Sequence, residues 1–195
     1  MGNEVIEVIG SRASVRRFKD EPIPRDVILK ILWAGTRAPT AGARENWLFI
    51  VVEDKDVRKR IHELLIEAHE KYASEVIRMP ADRMMKWRKL MSEGMYLAPL
   101  YIAVYIAVDE NRSNFELLMD IQSASAAIEN MILAAWSFGI GSVWLGVPLL
   151  IEEKFNEVLK PPKDSRLVSI IALGYPAEKV SARPRKPLEL VSRFI

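Results

Sequence analysis

The chain has 195 residues, of which 50% are hydrophobic and 28% are charged, a balance typical of a folded globular protein rather than a disordered one. Lysine and arginine total 28 against 26 acidic residues, so a net charge of +2 argues against a basic surface for nucleic acid. Cysteine is absent, which excludes disulfides, thiolate metal sites and a cysteine nucleophile. We expect one domain over residues 1–195.

The N-terminal residues MGNEVIEVIGSR lack the basic start and long apolar core of a signal peptide. The apolar run LAPLYIAVYIAV at 97–108 is too short to span a bilayer as a helix. We therefore expect no membrane association and a cytoplasmic location. His62 and His69 are the only histidines and have no third ligand at a suitable spacing, so we expect structural or surface roles for both and no metal site.

The first half of the chain predicts helices around one strand. Apolar spacing indicates a short helix over 4–9 and a longer one that begins near Pro24 and is stopped by Pro39. The run WLFIVVE at 47–53 is typical of a strand buried on both faces. Residues 54–94 have helical spacing interrupted at Pro80, which predicts two helices.

The second half alternates strands and helices. Strands are predicted over 100–108, 142–148 and 166–176, and a short helix over 151–160. A long helix is capped by Ser113 and ended by Gly139, and its small residues predict close packing at the centre of the fold. Residues 176–195 are basic and rich in proline, so we expect an extended tail. The order of elements predicts an α/β or α+β fold of a sheet packed with helices.

Common catalytic motifs are missing from the sequence. It contains no GxSxG elbow, no phosphate-binding GxxxxGK[ST] loop, no GxGxxG after a strand and no HExxH helix. No pair of acids stands in an apolar setting suited to acid–base catalysis. If the protein is an enzyme, we expect a bound cofactor to supply the difficult chemistry.

The segment SRASVRR at 11–17 is the strongest positive signal. Arg12, Ser14 and Arg16 alternate, so an extended chain directs them to one side, and arginine with a serine hydroxyl suits a phosphate group. A solvated basic turn is the alternative. The second basic cluster, Arg183, Arg185 and Lys186, favours a shared phosphate site, because two such segments could converge on one anion.

Two further stretches have weaker signals. The glycines of GIGSVWLGVP at 139–148 would allow a flat ligand to lie against the strand backbone, although an ordinary buried strand explains them equally well. APTAGARENW at 38–47 is a helix stop followed by small residues, and a plain connecting loop is its alternative reading.

Taken in order, these four segments resemble the FMN-dependent nitroreductase family over nearly the whole chain. The resemblance implies an α+β fold with a mostly antiparallel sheet flanked by helices and completed by dimerisation, with FMN at the interface of a homodimer. It implies NAD(P)H as reductant and a nitroaromatic, quinone or similar flat acceptor, by a ping-pong mechanism. The cofactor-binding residues that it implies are Arg12, Ala13, Ser14, Arg16, Pro39, Thr40, Ala41, Val143, Trp144, Leu145, Gly146, Arg183 and Arg185.

The resemblance also assigns roles within that set. It places 39–41 against the flavin of the partner subunit, and the backbone N–H near Leu145 beside flavin N5, with no catalytic side chain. Lys186 is an alternative to Arg185, because the alignment of the tail can slip by one residue. Ala43 and Glu45 depart from the asparagine and glutamine of many members, so no substrate contact is carried over to them.

Other outcomes remain open for the same scaffold. It resembles flavin enzymes that fragment FMN to make a cobalamin ligand and enzymes that remove halogen from aromatic rings, and a flavin-binding module without turnover is a further alternative. The helices of 54–94 often roof the site in such proteins. Met84, Met85, Trp87 and Met91 are therefore candidates for the substrate pocket, with core packing as the competing interpretation.

Overall fold

A computed structural model of the chain describes residues 3–109 and 111–195. These residues form six α-helices and four strands. The helices are α1 Glu4–Ser11, α2 Arg25–Gly35, α3 Lys55–Lys71, α4 Ala81–Ser92, α5 Asn114–Ser137 and α6 Glu152–Leu159. The strands are β1 Trp47–Val52, β2 Leu100–Ala107, β3 Gly141–Leu145 and β4 Ser165–Gly174.

The four strands form one sheet in the order β1-β2-β4-β3, and every neighbouring pair is antiparallel. Helices cover both faces of the sheet, which confirms the predicted α+β class. The two central strands, β2 and β4, are the two longest strands, and most of their residues are buried, as expected where both faces of a strand are covered.

Alternation along β2 divides the core in two. Tyr101 and Tyr105 face the helices α3, α4 and α6, whereas Ile102 and Ile106 face α2 and α5. All four side chains are fully buried. The molecule is therefore a three-layer sandwich in which β3, at one edge, remains available to contact other segments.

The long helix α5 forms as the sequence predicts. The Ser113 side chain accepts from the N–H of Glu116, whose carboxylate accepts from the N–H of Ser113, and Gly139 follows the helix with a φ of 72°. Against α2, a side chain at Gly35 would place its Cβ 2.8 Å from Met131 Cγ, so the missing side chain allows the two helices to pack closely. Within residues 3–109 and 111–195, no helix is long and apolar enough to cross a membrane.

Strand β1 corrects one prediction. It lies at the other edge of the sheet, where Leu48 is 37% exposed and only Val52 is buried, so it is not buried on both faces as predicted. An apolar run alone does not distinguish a central strand from an edge strand, because the distinction depends on which strand pairs with it.

Other element boundaries also differ from prediction, since α1 continues to Ser11 and β4 ends at Gly174. Helix α2 ends at Gly35, before Pro39, because Pro39 has no N–H to donate to the Gly35 carbonyl and its ring would clash with that carbonyl in a continued helix. Strand β3 ends at Leu145, and Val147–Ile151 forms a 3₁₀ turn, since Pro148 has no N–H to donate to a ladder. Helix α3 ends at Lys71 and is followed by the π-helical turn Tyr72–Val76, well before Pro80.

Candidate functional site

The segment that contains the three N-terminal arginines lies against the edge strand β3. The Val15 N–H donates to the Ser142 carbonyl at 2.9 Å, and the Val15 side chain is fully buried. A Cβ at Gly141 would lie 2.4 Å from Val15 Cγ2, so only glycine allows this approach. Because Val15 points inward, its neighbours Ser14 and Arg16 point the other way and remain partly exposed.

The start of the C-terminal tail is held beside the same segment. The Lys19 N–H donates to the Tyr175 carbonyl at 2.9 Å, and the Ala177 N–H donates to the Arg17 carbonyl at 3.0 Å. These two backbone hydrogen bonds extend the antiparallel contact past the end of β4. They direct the basic tail back toward the N-terminal arginines, although 169 residues separate Arg16 from Arg185 along the chain.

The two basic segments line one cavity of about 340 Å³. Among the predicted phosphate-site residues, the cavity wall contains Arg12, Ala13, Ser14, Arg16, Arg183 and Arg185. Lys186, the alternative to Arg185, is not part of the wall. The wall also contains Glu178, Val180 and Ser181, which the sequence analysis did not single out. The sequence signal for these three residues is their position between Ala177, where the tail is hydrogen-bonded to the N-terminal segment, and Arg183.

The cavity has a large excess of positive charge. Its wall has four guanidinium groups and one carboxylate. Within the described part of the chain, none of these four arginines is within 4.0 Å of an acidic group, whereas ten ion pairs occur elsewhere. Arg16 Nη1 donates to the Ser14 carbonyl at 3.2 Å. Free arginine donors around a concave site suit a phosphate dianion.

The backbone of Arg16 is hydrogen-bonded to Tyr96, which belongs to a stack of three rings. The Tyr96 N–H donates to the Arg16 carbonyl at 2.8 Å, and the Tyr96 ring stacks on His69, with 4.9 Å between ring centroids. The other side of His69 stacks on Trp87 of α4 at 5.2 Å. Burial raises the pKa of Tyr96, and the nearby charge of Arg16 acts in the opposite direction.

Both histidines have internal hydrogen-bond partners. His62 Nε2 donates to the Met95 carbonyl at 3.0 Å, and His69 Nδ1 donates to the Leu65 carbonyl at 2.8 Å. Desolvation lowers the pKa of both, so the neutral forms are favoured. Residues 3–109 and 111–195 contain no group of three or more His, Asp or Glu side chains that could hold a metal ion.

The second predicted contact region is the end of β3. Val143 and Leu145 are buried in the core that faces α3, whereas Trp144 is 38% exposed on the other face. The Ser142 carbonyl points away from β4, toward Val15, and alternation along the strand turns the N–H of Trp144 the same way. Gly146 follows directly, before the 3₁₀ turn.

The third predicted region lies apart from the cavity. Pro39, Thr40 and Ala41 stand at the N-terminal half of α5, where the Ala41 N–H donates to Ser123 Oγ at 3.1 Å. None of the three lines the arginine cavity of its own chain. The prediction that they reach a partner subunit's cofactor therefore stays a prediction.

The four residues of the second charged helix that were candidates for the substrate pocket differ in how deeply they are buried. Met91 is fully buried in the core, and Trp87 packs on His69 and against that core, so core packing describes both. Met84 is partly buried, and Met85 is 65% exposed.

The sequence analysis also missed Asp120, a fully buried acid that contacts two arginines. The signal was its position, since Asp120, Ala124, Ala127 and Met131 share one buried face of α5.

Fold and site together describe a class of protein in which a three-layer α+β sandwich presents a basic cavity at a sheet edge. The family model described as "Nitroreductase family" matches residues 9–175, and the chain belongs to this family. A protein of Archaeoglobus fulgidus, named "Putative NADH dehydrogenase/NAD(P)H nitroreductase", is 32% identical over 178 residues, covering 90% of this chain and 87% of that protein.

Two solved structures extend the likeness to the fold. A nitroreductase with bound FMN from Bacteroides fragilis superposes with a TM-score of 0.72 at 27% identity, and the match covers 100% of both chains. A BluB-like flavoprotein from Clostridium difficile superposes with a TM-score of 0.76 at 28% identity, also over 100% of both chains.

Proposed function

We propose that this protein is an FMN-dependent oxidoreductase that works as a homodimer, with NAD(P)H as reductant and a nitroaromatic, quinone or similar flat molecule as acceptor. The observation that carries the proposal is the convergence of Arg12 and Arg16 with Arg183 and Arg185 around one cavity, whose wall has four guanidinium groups and one carboxylate. The family membership and the FMN bound in the Bacteroides fragilis relative support the choice of ligand.

The cavity fits the phosphate end of FMN in charge and donor chemistry. A phosphate dianion accepts several charge-assisted hydrogen bonds, which the guanidinium groups of Arg12 and Arg16 would donate from one side and those of Arg183 and Arg185 from the other. The Ser14 hydroxyl adds a neutral donor. Glu178 lies in the same wall and would repel the phosphate, but four positive groups outweigh it.

The end of β3 would hold the ring system of the cofactor. When bound, FMN supplies hydride transfer from NAD(P)H to the acceptor in two successive half-reactions. Val143 and Leu145 are fixed in the core, so the backbone between Val143 and Gly146 is rigid. We assign to the N–H groups near Leu145 a hydrogen bond to flavin N5, which requires no ionisable side chain.

Exposed apolar side chains support assembly into a homodimer. On the helices they include Val5, Ile6, Ile9, Trp33, Phe115 and Leu118, and on the tail Leu188, Leu190, Phe194 and Ile195. Val5, Ile6 and Ile9 lie close together on the short helix α1, and clustered exposed apolar side chains are typical of an interaction site. Assembly through these helices would allow the loop of Pro39, Thr40 and Ala41 to contact the cofactor of the partner subunit.

The visible spectrum of the purified protein, taken with added FMN and then with NADH under anaerobic conditions, tests the proposal. We expect flavin bands from the bound cofactor that bleach on addition of NADH or NADPH and return with a quinone. A protein that does not bind FMN would overturn the proposal. Bound flavin that neither nicotinamide reduces would instead indicate a binding module without turnover.

Product analysis separates the two other activities of related scaffolds. The BluB-like flavoprotein is similar over the whole chain, so fragmentation of FMN is the second candidate function. Under air, loss of FMN with formation of a benzimidazole product would favour it over turnover of an acceptor. Release of halide from a halogenated aromatic substrate would identify a dehalogenase.

A further inference from the structure

A buried carboxylate in the N-terminal half of α5 is bound by arginines from two different segments. Asp120 is 1% exposed. Its Oδ1 accepts from Arg44 Nε at 3.1 Å and from Arg44 Nη2 at 2.6 Å, and its Oδ2 accepts from Arg112 Nη1. Arg112 belongs to the approach to α5, whereas Arg44 belongs to the loop between α2 and β1.

That loop has an unusual backbone conformation. Gly42, Ala43 and Glu45 have φ values of 59°, 53° and 47°. These values lie in the left-handed region, which residues other than glycine rarely adopt. Such a conformation persists only where surrounding contacts determine it. The Thr40 hydroxyl oxygen accepts from the Glu45 N–H at 3.1 Å and closes the loop on itself.

Helix α5 fixes both ends of this strained turn. At the first end, the Ala41 N–H donates to Ser123 Oγ, and at the second, Arg44 binds Asp120 one turn earlier on the helix. Both Asp120 and Ser123 are buried and cannot move without disturbing the core between α5 and the sheet. The loop of residues 40–45 therefore has its position set by side chains of α5.

We propose that Asp120 is a positioning residue that, through Arg44, holds Thr40 and Ala41 where they contact the cofactor of the partner subunit. The inference rests on the proposed function, because it requires FMN at the subunit interface. It assigns a purpose to one departure from the family pattern, Ala43, and to the neighbouring Arg44. Ala43 offers no side-chain amide to the cofactor, so backbone and small side chains must be placed accurately, and Arg44 supplies the attachment.

The chain offers a matched pair of variants for the test. Arg44→Met and Arg112→Met each remove one arginine from the same carboxylate, and the two arginines are 26% and 23% exposed. Each variant leaves Asp120 with one arginine, so we expect both to fold and to lose a similar amount of thermal stability. Only Arg44→Met detaches the loop.

The measurement is FMN affinity by fluorescence titration, together with the visible circular dichroism of the bound flavin and the thermal midpoint of the apoprotein. We expect Arg44→Met to raise the Kd for FMN by at least about fivefold, the lower end of usual coupling between neighbouring sites, and to alter the flavin dichroism. Arg112→Met should change Kd by less than about twofold at a similar loss of midpoint. Arg44→Lys should recover part of the affinity.

Three outcomes are informative. If Arg44→Met and Arg112→Met change Kd and dichroism to the same extent, the three residues only stabilise the fold and the inference is wrong. The inference is equally wrong if neither variant changes the flavin while both lower the thermal midpoint. A wild-type protein that binds no FMN in the same titration would overturn the proposed function itself, and the inference with it.

Discussion

Two groups of arginines in this molecule differ in what surrounds them. Arg12, Arg16, Arg183 and Arg185 surround a cavity and, in the described part of the chain, contact no acid. Arg44 and Arg112 share the buried carboxylate of Asp120. The first group has positive charge that the chain leaves unpaired, and the second is neutralised within the fold.

The difference shows how a binding arginine can be told from a structural one. Holding four like charges around one cavity costs free energy that a bound anion would recover, so those arginines should matter for ligand affinity and little for the empty protein. An arginine paired with a buried acid should matter for folding, because removing the arginine leaves a desolvated carboxylate without its full complement of partners. The Asp120, Arg12 and Arg60 variants below test this distinction, and the later predictions test the parts of the molecule that support the cavity.

The largest effect is expected at the neutralised group. Asp120→Ala leaves two arginines, each about one quarter exposed, without their shared acid. Breaking a buried ion pair in this way costs about 3 to 5 kcal/mol, and partial hydration of the arginines places the expected loss near the lower limit. Urea denaturation of the apoprotein measures it. A loss below about 1 kcal/mol would show that the group contributes little to folding.

Arg12→Ala tests the unpaired group in the opposite way. Loss of a charge-assisted hydrogen bond to the phosphate should weaken FMN binding by about 1.5 to 3 kcal/mol, a roughly 10- to 150-fold rise in Kd. The free energy of unfolding of the apoprotein should stay the same or increase slightly, because one of four like charges is removed. Fluorescence titration and urea denaturation on the same sample measure both quantities.

A control for Arg12→Ala is Arg60→Ala. Arg60 lies on the exposed face of α3 in an ion pair with Glu63, so its loss removes the same charge away from the cavity. FMN affinity should not change. Equal weakening by both variants would mean that net charge, rather than the cavity, attracts the cofactor.

The backbone that positions Arg12 and Arg16 can be tested at Gly141. Gly141→Ala forces a Cβ to within 2.4 Å of Val15 Cγ2, and overpacking of this kind costs about 1 to 3 kcal/mol. Val15→Ala removes both Cγ atoms and leaves only the Cβ of residue 15, 2.7 Å from the added Cβ, so part of the conflict is relieved and the double variant should be more stable than the sum of the two single changes predicts. Additive losses of unfolding free energy would contradict the close contact.

Sequence reasoning succeeded where the pattern was local. The capping box at Ser113, the glycine after α5 and the alternation of Arg12, Ser14 and Arg16 depend on neighbouring residues, and the structure has the corresponding helix ends and extended segment. The family motifs extended this to the fold class, which the antiparallel sheet confirms.

The remainder depended on contacts between distant residues. That β1 is an edge strand follows from which strands pair, and the end of β3 at Leu145 follows from Pro148 and the turn that it enters. The ion pairs of Asp120 could not be predicted, because its partners Arg44 and Arg112 are 76 and 8 residues away along the chain and only the fold brings them together. The helical period of α5 places Asp120 on the buried face, but no period in the sequence identifies the arginines that pair with it.

The smallest expected effect is a pH dependence of the free energy of unfolding, which arises from His69 in the aromatic stack beside Arg16. Desolvation lowers the pKa of His69 below its ordinary value of 6.5, so the unfolded chain binds a proton at higher pH than the folded chain does. Between pH 6.5 and the folded pKa, the unfolded state therefore has more bound protons, and stability falls as pH falls. His62 contributes with the same sign.

His69→Phe isolates this contribution, because phenylalanine keeps a ring between Trp87 and Tyr96 but does not titrate. Each shifted histidine contributes at most about 1.4 kcal/mol per pH unit, so the variant should lose less stability than the wild type between pH 7 and pH 5.5. Urea denaturation at each pH measures the slope. An unchanged slope would mean that His69 is protonated as easily in the folded chain as in the unfolded one. In that case the stack below Arg16 is open to water, and the cavity has less rigid support than its backbone contacts indicate.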